Sequence, residues 1–263
     1  VGVYAGVEPT WAAQTNVGRT HIATKGVVQS GLVLNLDAGV SSSYSGSGTT
    51  WTDLSGNGNT GTLTNGPTYN SSNGGSIVFD GSNDYVTTNS FNGDSNSALS
   101  VFCWVYPTNL TSGQDSGNFL NWIINKRNTT SPNSNSWQLC ARNSYPLVNI
   151  WDNNDTLISE ISSTIQSNSL STFQLNKWQY TGFVTDGTNN GSLKIYINDK
   201  VNYSGILTGN RGIESKPIDI GVTGWSKSLP WVGNIAQVSI YNKALTAAEI
   251  QQNFNATRGR FGI

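Results

Sequence analysis

The sequence predicts an all-β sandwich or barrel, and three observations carry that expectation. Short apolar stretches recur along most of the chain, Gly, Asn, Asp and Ser fill the gaps between them, and helical periodicity is confined to one place near the end. At 263 residues the chain is long for an average domain, yet all-β sandwiches reach this size as single units, so one domain is expected. Charged residues make up only 11% of the chain, which suits short strands joined by polar turns better than long amphipathic helices.

Taken in order, residues 1–30 carry Pro9, Trp11 and the sole His21 with little alternation, and read as an arm that docks onto something. From Gly31 the leucines at 32, 34 and 36 set up a strand with one face on a core. Further strands are expected at 76–80, 84–88, 99–106, 119–125, 136–142, 146–151, 156–161, 178–185, 193–198, 217–221 and 233–241. A parallel α/β fold would need helical crossovers, for which the gaps leave no room. One helix is signalled, at about 246–257: Thr246 and Glu249 have the spacing of a capping box, and Ile250 and Phe254 fall four apart on one face. The arginines and apolar end of the following segment fit either a docking tail or a solvated terminus.

Composition excludes several partner classes. Lys and Arg number 14 against 15 acidic residues, with no run of either sign, so no footprint for a phosphate backbone is present and nucleic acid is not an expected partner. No stretch approaches the roughly 18 consecutive apolar residues of a membrane span, and the start lacks a secretion pattern, so a soluble mature chain without membrane association is expected. The chain has no Met and starts Val1-Gly2-Val3, as a nearly complete or processed chain would. Cys103 and Cys140 lie in apolar strand-like runs and are expected as buried thiols, with a bridge between them as the alternative.

Five blocks, in order, resemble laminin G-like (concanavalin A-like) jelly-roll domains. They run from Gly31 to Tyr69 (GLVLNLDAG with WTDLSGNGNTGTLTNGPTY), Ser76 to Val86 (SIVFDGSNDYV), Leu99 to Pro107 (LSVFCWVYP), Asn176 to Lys200 (NKWQYTGFVTDG with LKIYINDK) and Gly233 to Ile250 (GNIAQVSIYNKALTAAEI). The resemblance implies a two-sheet antiparallel jelly-roll sandwich over 31–263, preceded by the arm at 1–30. Within that family, TTWTDLSGNGNTG and the block from Asn234 to Ile263 resemble structural proteins of tailed phages. That narrower likeness implies a virion-surface protein, a capsid decoration or fibre component, fixed to other virion proteins through the arm and facing host polysaccharide. A homo-oligomer is expected, because most assemblies are symmetric. The alternative is an extracellular lectin module of a secreted polysaccharide-processing protein. Two departures stand out: Ala236-Gln237 where relatives often carry an acid in the last long strand, which weakens any calcium site there, and Tyr180 where His is frequent.

Catalysis finds little support. A Ser/His/Asp or Cys/His system would have to recruit His21 from the arm. The Glu residues, at 8, 160, 214 and 249, are far apart and none belongs to the Glu-x-Asp-x-x-Glu motif of laminarinase-type glucanases on this architecture, so no enzyme is expected. Calcium is the better chemical candidate, through Asp53, Asn57 and Asn59 in one loop and Asp80, Asn83 and Asp84 in another, because hard cations take oxygens from such loops. Turn closure by the same residues is the competing reading. Nine tryptophans are many for so polar a chain. Trp104 and Trp178 sit in apolar alternating runs and are expected in the core. Trp122, Trp137, Trp151, Trp225 and Trp231 lie near strand ends or polar loops, where an exposed indole stacks on a sugar ring, although the same indoles could cover the sandwich or a subunit interface.

Overall fold

The computed structural model describes residues 26–89, 91, 94, 97–115, 117–127, 135–162, 171–213, 215–223 and 226–263. In chain order the strands are β1 (Leu32–Asp37), β2 (Thr50–Trp51), β3 (Gly61–Thr64), β4 (Thr68–Asn70), β5 (Ser76–Asp80), β6 (Tyr85–Thr88), β7 (Leu99–Asn109), β8 (Gln114–Asp115) and β9 (Asn118–Arg127). They continue with β10 (Asn135–Arg142), β11 (Tyr145–Trp151), β12 (Leu157–Ser162), β13 (Gln179–Thr185), β14 (Ser192–Ile197), β15 (Lys200–Ile206), β16 (Ile218–Ile220) and β17 (Val232–Tyr241), before the helix α1 (Ala247–Thr257).

Two antiparallel sheets result. The first runs β15-β14-β13-β7-β17-β5-β4, with β1 also on β17, and the second β12-β11-β10-β9-β16-β6-β3-β2, with β8 on β9. Strand alternation divides each chain segment between two faces. On β7, Val101, Cys103 and Val105 enter the core between the sheets, where they meet Leu34, Leu36, Phe183 and Ile240. Trp137 of β10 reaches across that core to Phe183 of β13, edge to face at 5.8 Å. Phe102 and Trp104 point the other way, into a third layer made with Tyr180, Ile250, Phe254 and Phe261.

That third layer is α1 and the turn after it. The predicted capping box is present: Glu249 N–H donates to Thr246 Oγ1 at 3.3 Å, and Thr246 N–H donates to Glu249 Oε2 at 2.9 Å. Trp104 Nε1 donates to Thr257 Oγ1 at 2.8 Å, and the Trp104 ring stacks on Phe254 and Phe261. The helix also holds the segment ahead of β1, since Val28 is buried and its N–H donates to Asn253 Oδ1 at 2.8 Å. Most of the predicted arm, with His21, lies outside the described residues. The tail is integrated rather than solvated: Arg260 Nη1 bonds both Asp37 carboxylate oxygens, at 2.7 and 2.8 Å, and Phe261 is buried. Gly39 makes room for it, because a Cβ there would sit 2.1 Å from Arg260 Nη2.

Neither cysteine forms a disulfide, and both are buried. They cannot meet: Cys103 faces the core from the first sheet, whereas Cys140 of the second packs with Trp122 and Leu147 in a separate cluster.

One end of the core is ionic. Lys126 and Trp137 stand opposite each other on β9 and β10, and both bond the Asp94 carboxylate, Trp137 through Nε1 at 3.1 Å. Arg211 joins them with Nη1 3.1 Å from Asp94 Oδ2 and Nη2 2.9 Å from the Asp94 carbonyl. Burial pulls the Lys126 ammonium and the Arg211 guanidinium below their ordinary pKa values, and Asp94 opposes both shifts. Removing one member of such a buried set strands the others without compensation, at about 3–5 kcal/mol. Asp94→Ala is therefore expected to lower the stability measured by urea unfolding by that amount. Asp199→Ala, which breaks only the exposed pair with Lys200, should change it by less than about 1 kcal/mol.

Candidate functional site

The structure does not place the predicted tryptophans as a sugar platform. Trp122, Trp137, Trp151 and Trp231 are 4%, 0%, 9% and 0% exposed, and Trp225 lies outside the described residues. Trp137 fills the core, and Trp231 meets Phe173 edge to face at 6.4 Å. Trp122 packs with Leu120 and Leu229, and its backbone N–H donates to the Leu229 carbonyl at 3.2 Å. An indole buried on both faces has none to offer a ring, so these four serve packing.

The predicted calcium residues are likewise engaged in closing their own loops. Asp53 Oδ1 accepts the N–H groups of Asn35 and Ser55, both at 2.9 Å, and Oδ2 accepts Ser55 Oγ at 2.7 Å and Asn59 N–H at 3.0 Å. Asn57 and Asn59 donate their side-chain N–H to the Leu32 and Val33 carbonyls of β1, at 3.3 and 2.8 Å. In the second loop, Asp80 Oδ1 accepts Ser82 N–H at 2.7 Å, Asp84 Oδ2 accepts Asp80 N–H at 3.0 Å, and the Asn83 carbonyl accepts Asn65 Nδ2 at 3.0 Å. Burial raises the Asp84 carboxyl above its ordinary value; the Asp80 N–H opposes that shift and the Asp80 carboxylate adds to it. Among the described residues, no three His, Cys, Asp or Glu side chains gather where one cation could be held. In both loops these groups are engaged in turn closure.

A different site forms on the outer face of the first sheet, beside the C-terminal turn. It is a cleft of about 200 Å³ lined by Asn70, Ser72, Asn73, Ser76, Tyr106, Trp178 and Asn234. The register builds its floor from two cross-strand pairs, Asn70 opposite Ser76 on β4 and β5, and Tyr106 opposite Asn234 on β7 and β17. Asn234 Nδ2 donates to Ser76 Oγ at 2.9 Å, which ties the pairs together and leaves the Asn234 Oδ1 acceptor toward the cleft. Asn70 Oδ1 accepts Ser72 N–H at 2.9 Å, so its Nδ2 remains as a donor. Asn73, at φ 54°, holds the rim by donating to the Arg260 carbonyl at 3.2 Å.

Trp178 forms the aromatic wall. Asn176, at φ 57°, turns the chain ahead of β13, and its N–H donates to the Pro107 carbonyl at 2.8 Å. That staple sets the half-buried Trp178 against Tyr106 at 5.3 Å and over Phe261 at 4.6 Å. Among the described residues, no charged side chain lines the cleft. An indole and a phenol beside amides and hydroxyls, without charge, can pack the C–H face of a polyhydroxylated ring and bond its hydroxyls. The sequence places Trp178 in the core because it opens an apolar run. The signal that could have reversed this is Leu-Asn-Lys just ahead of it, where Asn supplies a left-handed turn that starts the strand on its outer face.

A family model described as the concanavalin A-like lectin/glucanases superfamily matches residues 80–251. The receptor binding domain of a botulinum neurotoxin, C/D mosaic serotype, is similar with a TM-score of 0.63 and 18% identity, covering 87% of this chain and 52% of that one. The binding domain of Paraclostridial Mosquitocidal Protein 1 gives 0.66 at 18% identity, covering 86% and 52%. A botulinum neurotoxin serotype D ligand binding domain, solved in complex with N-acetylneuraminic acid, gives 0.63 at 18% identity, covering 87% and 51%. The chain spans about half the length of these solved structures, and the likeness is one of fold. No curated protein matches the chain in sequence.

If the two Asp/Asn loops close on themselves, the melting temperature of protein prepared in calcium should not move when EDTA is added. A drop of several degrees, restored by calcium, would reinstate a cation there.

Proposed function

The chain belongs to the concanavalin A-like lectin/glucanases superfamily, and from that premise we propose that it is a non-enzymatic carbohydrate-binding domain whose site is the Trp178–Tyr106 cleft. The observation that carries this reading is the composition of that cleft, two aromatic rings beside three asparagines and two serines with no charge among them. Each asparagine presents a donor and an acceptor on one planar group, which suits adjacent hydroxyls of a sugar. A structural neighbour solved with N-acetylneuraminic acid supports sugar recognition on this fold.

The carboxylates support binding without hydrolysis. Glycoside hydrolysis uses two of them flanking the bond, about 5–5.5 or 6.5–9.5 Å apart. Among the described residues, none lines the cleft, Glu160 is paired with Arg142 at 2.8 Å, and Glu249 is committed to the helix cap.

For the setting we propose a virion surface, with the domain as a capsid decoration or fibre component that touches host polysaccharide and is anchored through the segment before Gly26. Support comes from the sequence blocks that resemble tailed-phage structural proteins. Gly26, the first described residue after that segment, is tied to α1, where Gln252 Nε2 donates to its carbonyl at 2.7 Å. Display in many symmetric copies would make a shallow site useful, since linked sites multiply weak affinities.

On an array of neutral and acidic oligosaccharides, the wild-type protein should retain one class. Trp178→Ala should weaken it by about 2 kcal/mol, roughly thirtyfold, as for the aromatic centre of a binding site. Asn70→Ala, at an exposed position, should weaken binding with melting unchanged. Binding indifferent to both substitutions would sink this site. Deleting residues 1–25 should abolish incorporation into particles while leaving glycan retention intact; unchanged incorporation would remove the anchoring role.

A further inference from the structure

Trp178 walls a second cleft on its other side. This one measures about 280 Å³ and includes Gln174, Lys177, Gln179 and Asn198 in its lining. Each cleft is smaller than the roughly 300–1,000 Å³ of ordinary ligand sites, whereas the two together fall inside that range. A ligand filling a typical volume here has to pass over the indole.

The two clefts differ in chemistry. Among the described residues, the first is lined by neutral groups, whereas the second includes the charged side chain of Lys177. Gln179 is occupied in holding the loop beneath it, its Oε1 accepting Gln174 N–H at 2.7 Å and its Nε2 donating to the Thr172 carbonyl at 3.4 Å. Asn198 Oδ1 accepts Tyr180 N–H at 3.2 Å, which leaves Nδ2 as a donor. The second cleft therefore adds an exposed ammonium to a lining of amides and hydroxyls, whereas the first offers neutral donors and acceptors. We infer that the ligand is an acidic oligosaccharide of at least two units, laid across Trp178 with a neutral ring in the first cleft and a carboxylate- or sulfate-bearing ring beside Lys177. This assignment rests on the carbohydrate-binding reading above and sharpens it to a substrate class and a minimum length.

The test uses the full chain and matched probes that differ in charge alone. These are oligogalacturonates of one to six units against their methyl esters, and sulfated galactan oligosaccharides against their desulfated forms. Calorimetric titration should show little binding of monosaccharides and a rise from two units onward. The acidic member of at least one pair should be favoured by about tenfold, the worth of one charge-assisted hydrogen bond. Because Lys177 is exposed, that preference should narrow as salt is raised. Lys177→Gln should erase the preference, bringing the acidic member's affinity down by about tenfold relative to the neutral member's, while Trp178→Ala weakens both. Equal affinity for acidic and neutral members, or a preference that survives Lys177→Gln, would overturn the cationic subsite even where Trp178-dependent binding of neutral sugars persists. A monosaccharide bound as tightly as its oligomers would overturn the two-cleft ligand. If neither these probes nor any glycan on the array is retained, the carbohydrate-binding reading itself falls.

Discussion

The pairing of β7 with β17 is the constraint on which the rest of the structure depends. These are the two long strands at the centre of the first sheet, paired from Val232 and Asn109 to Tyr241 and Ser100 with irregularities between Val232 and Gly233 and between Ile235 and Gln237. Their alternation feeds two hydrophobic layers at once. Val101, Cys103, Val105, Val238 and Ile240 go to the core between the sheets, and Phe102, Trp104, Ala236 and Tyr241 to the layer under α1. A slip of one residue would exchange the two sets and strand the helix on the wrong side chains. The same register sets Tyr106 opposite Asn234, so the cleft floor follows from the pairing that orders the core.

Much of this was legible in the sequence because it is written locally. Thr246 and Glu249 announce a helix start by their spacing alone, and the alternating leucines at 32, 34 and 36 announce a strand. The ordered blocks from Gly31 to Ile250 carry the jelly roll. Which face a side chain takes is a different matter, since it depends on strands distant in sequence. Trp122, Trp137, Trp151 and Trp231 lie near polar turns in the chain and inside the protein in space. Trp178 looks like core and forms a wall of the cleft. The Asp53 and Asp80 loops show the same ambiguity in another form, because closing a polar turn and holding a cation call for the same residue types, and only the hydrogen-bond partners separate them.

The buried ionic set and the cleft make opposite use of polar groups. Asp94, Lys126, Arg211 and Trp137 spend their bonding capacity on one another inside the sandwich, where an unsatisfied group is expensive. In the cleft, each asparagine spends half its capacity on the scaffold and keeps half outward. A rigid side chain with one satisfied end is already oriented, so a ligand that bonds the other end loses little to ordering it.

The clamp between Arg260 and Asp37 joins positions 223 residues apart, and Asn73 meets the Arg260 carbonyl across 187. Both contacts span nearly the whole described domain, as does the pairing of β1 with β17, so they close the same long loop. Phe261, which supports Trp178, arrives with the same turn. The cleft accordingly depends on the final turn: without Phe261 the Trp178 wall loses the ring beneath it. Loss of that turn would reach the proposed site without breaking a strand pair.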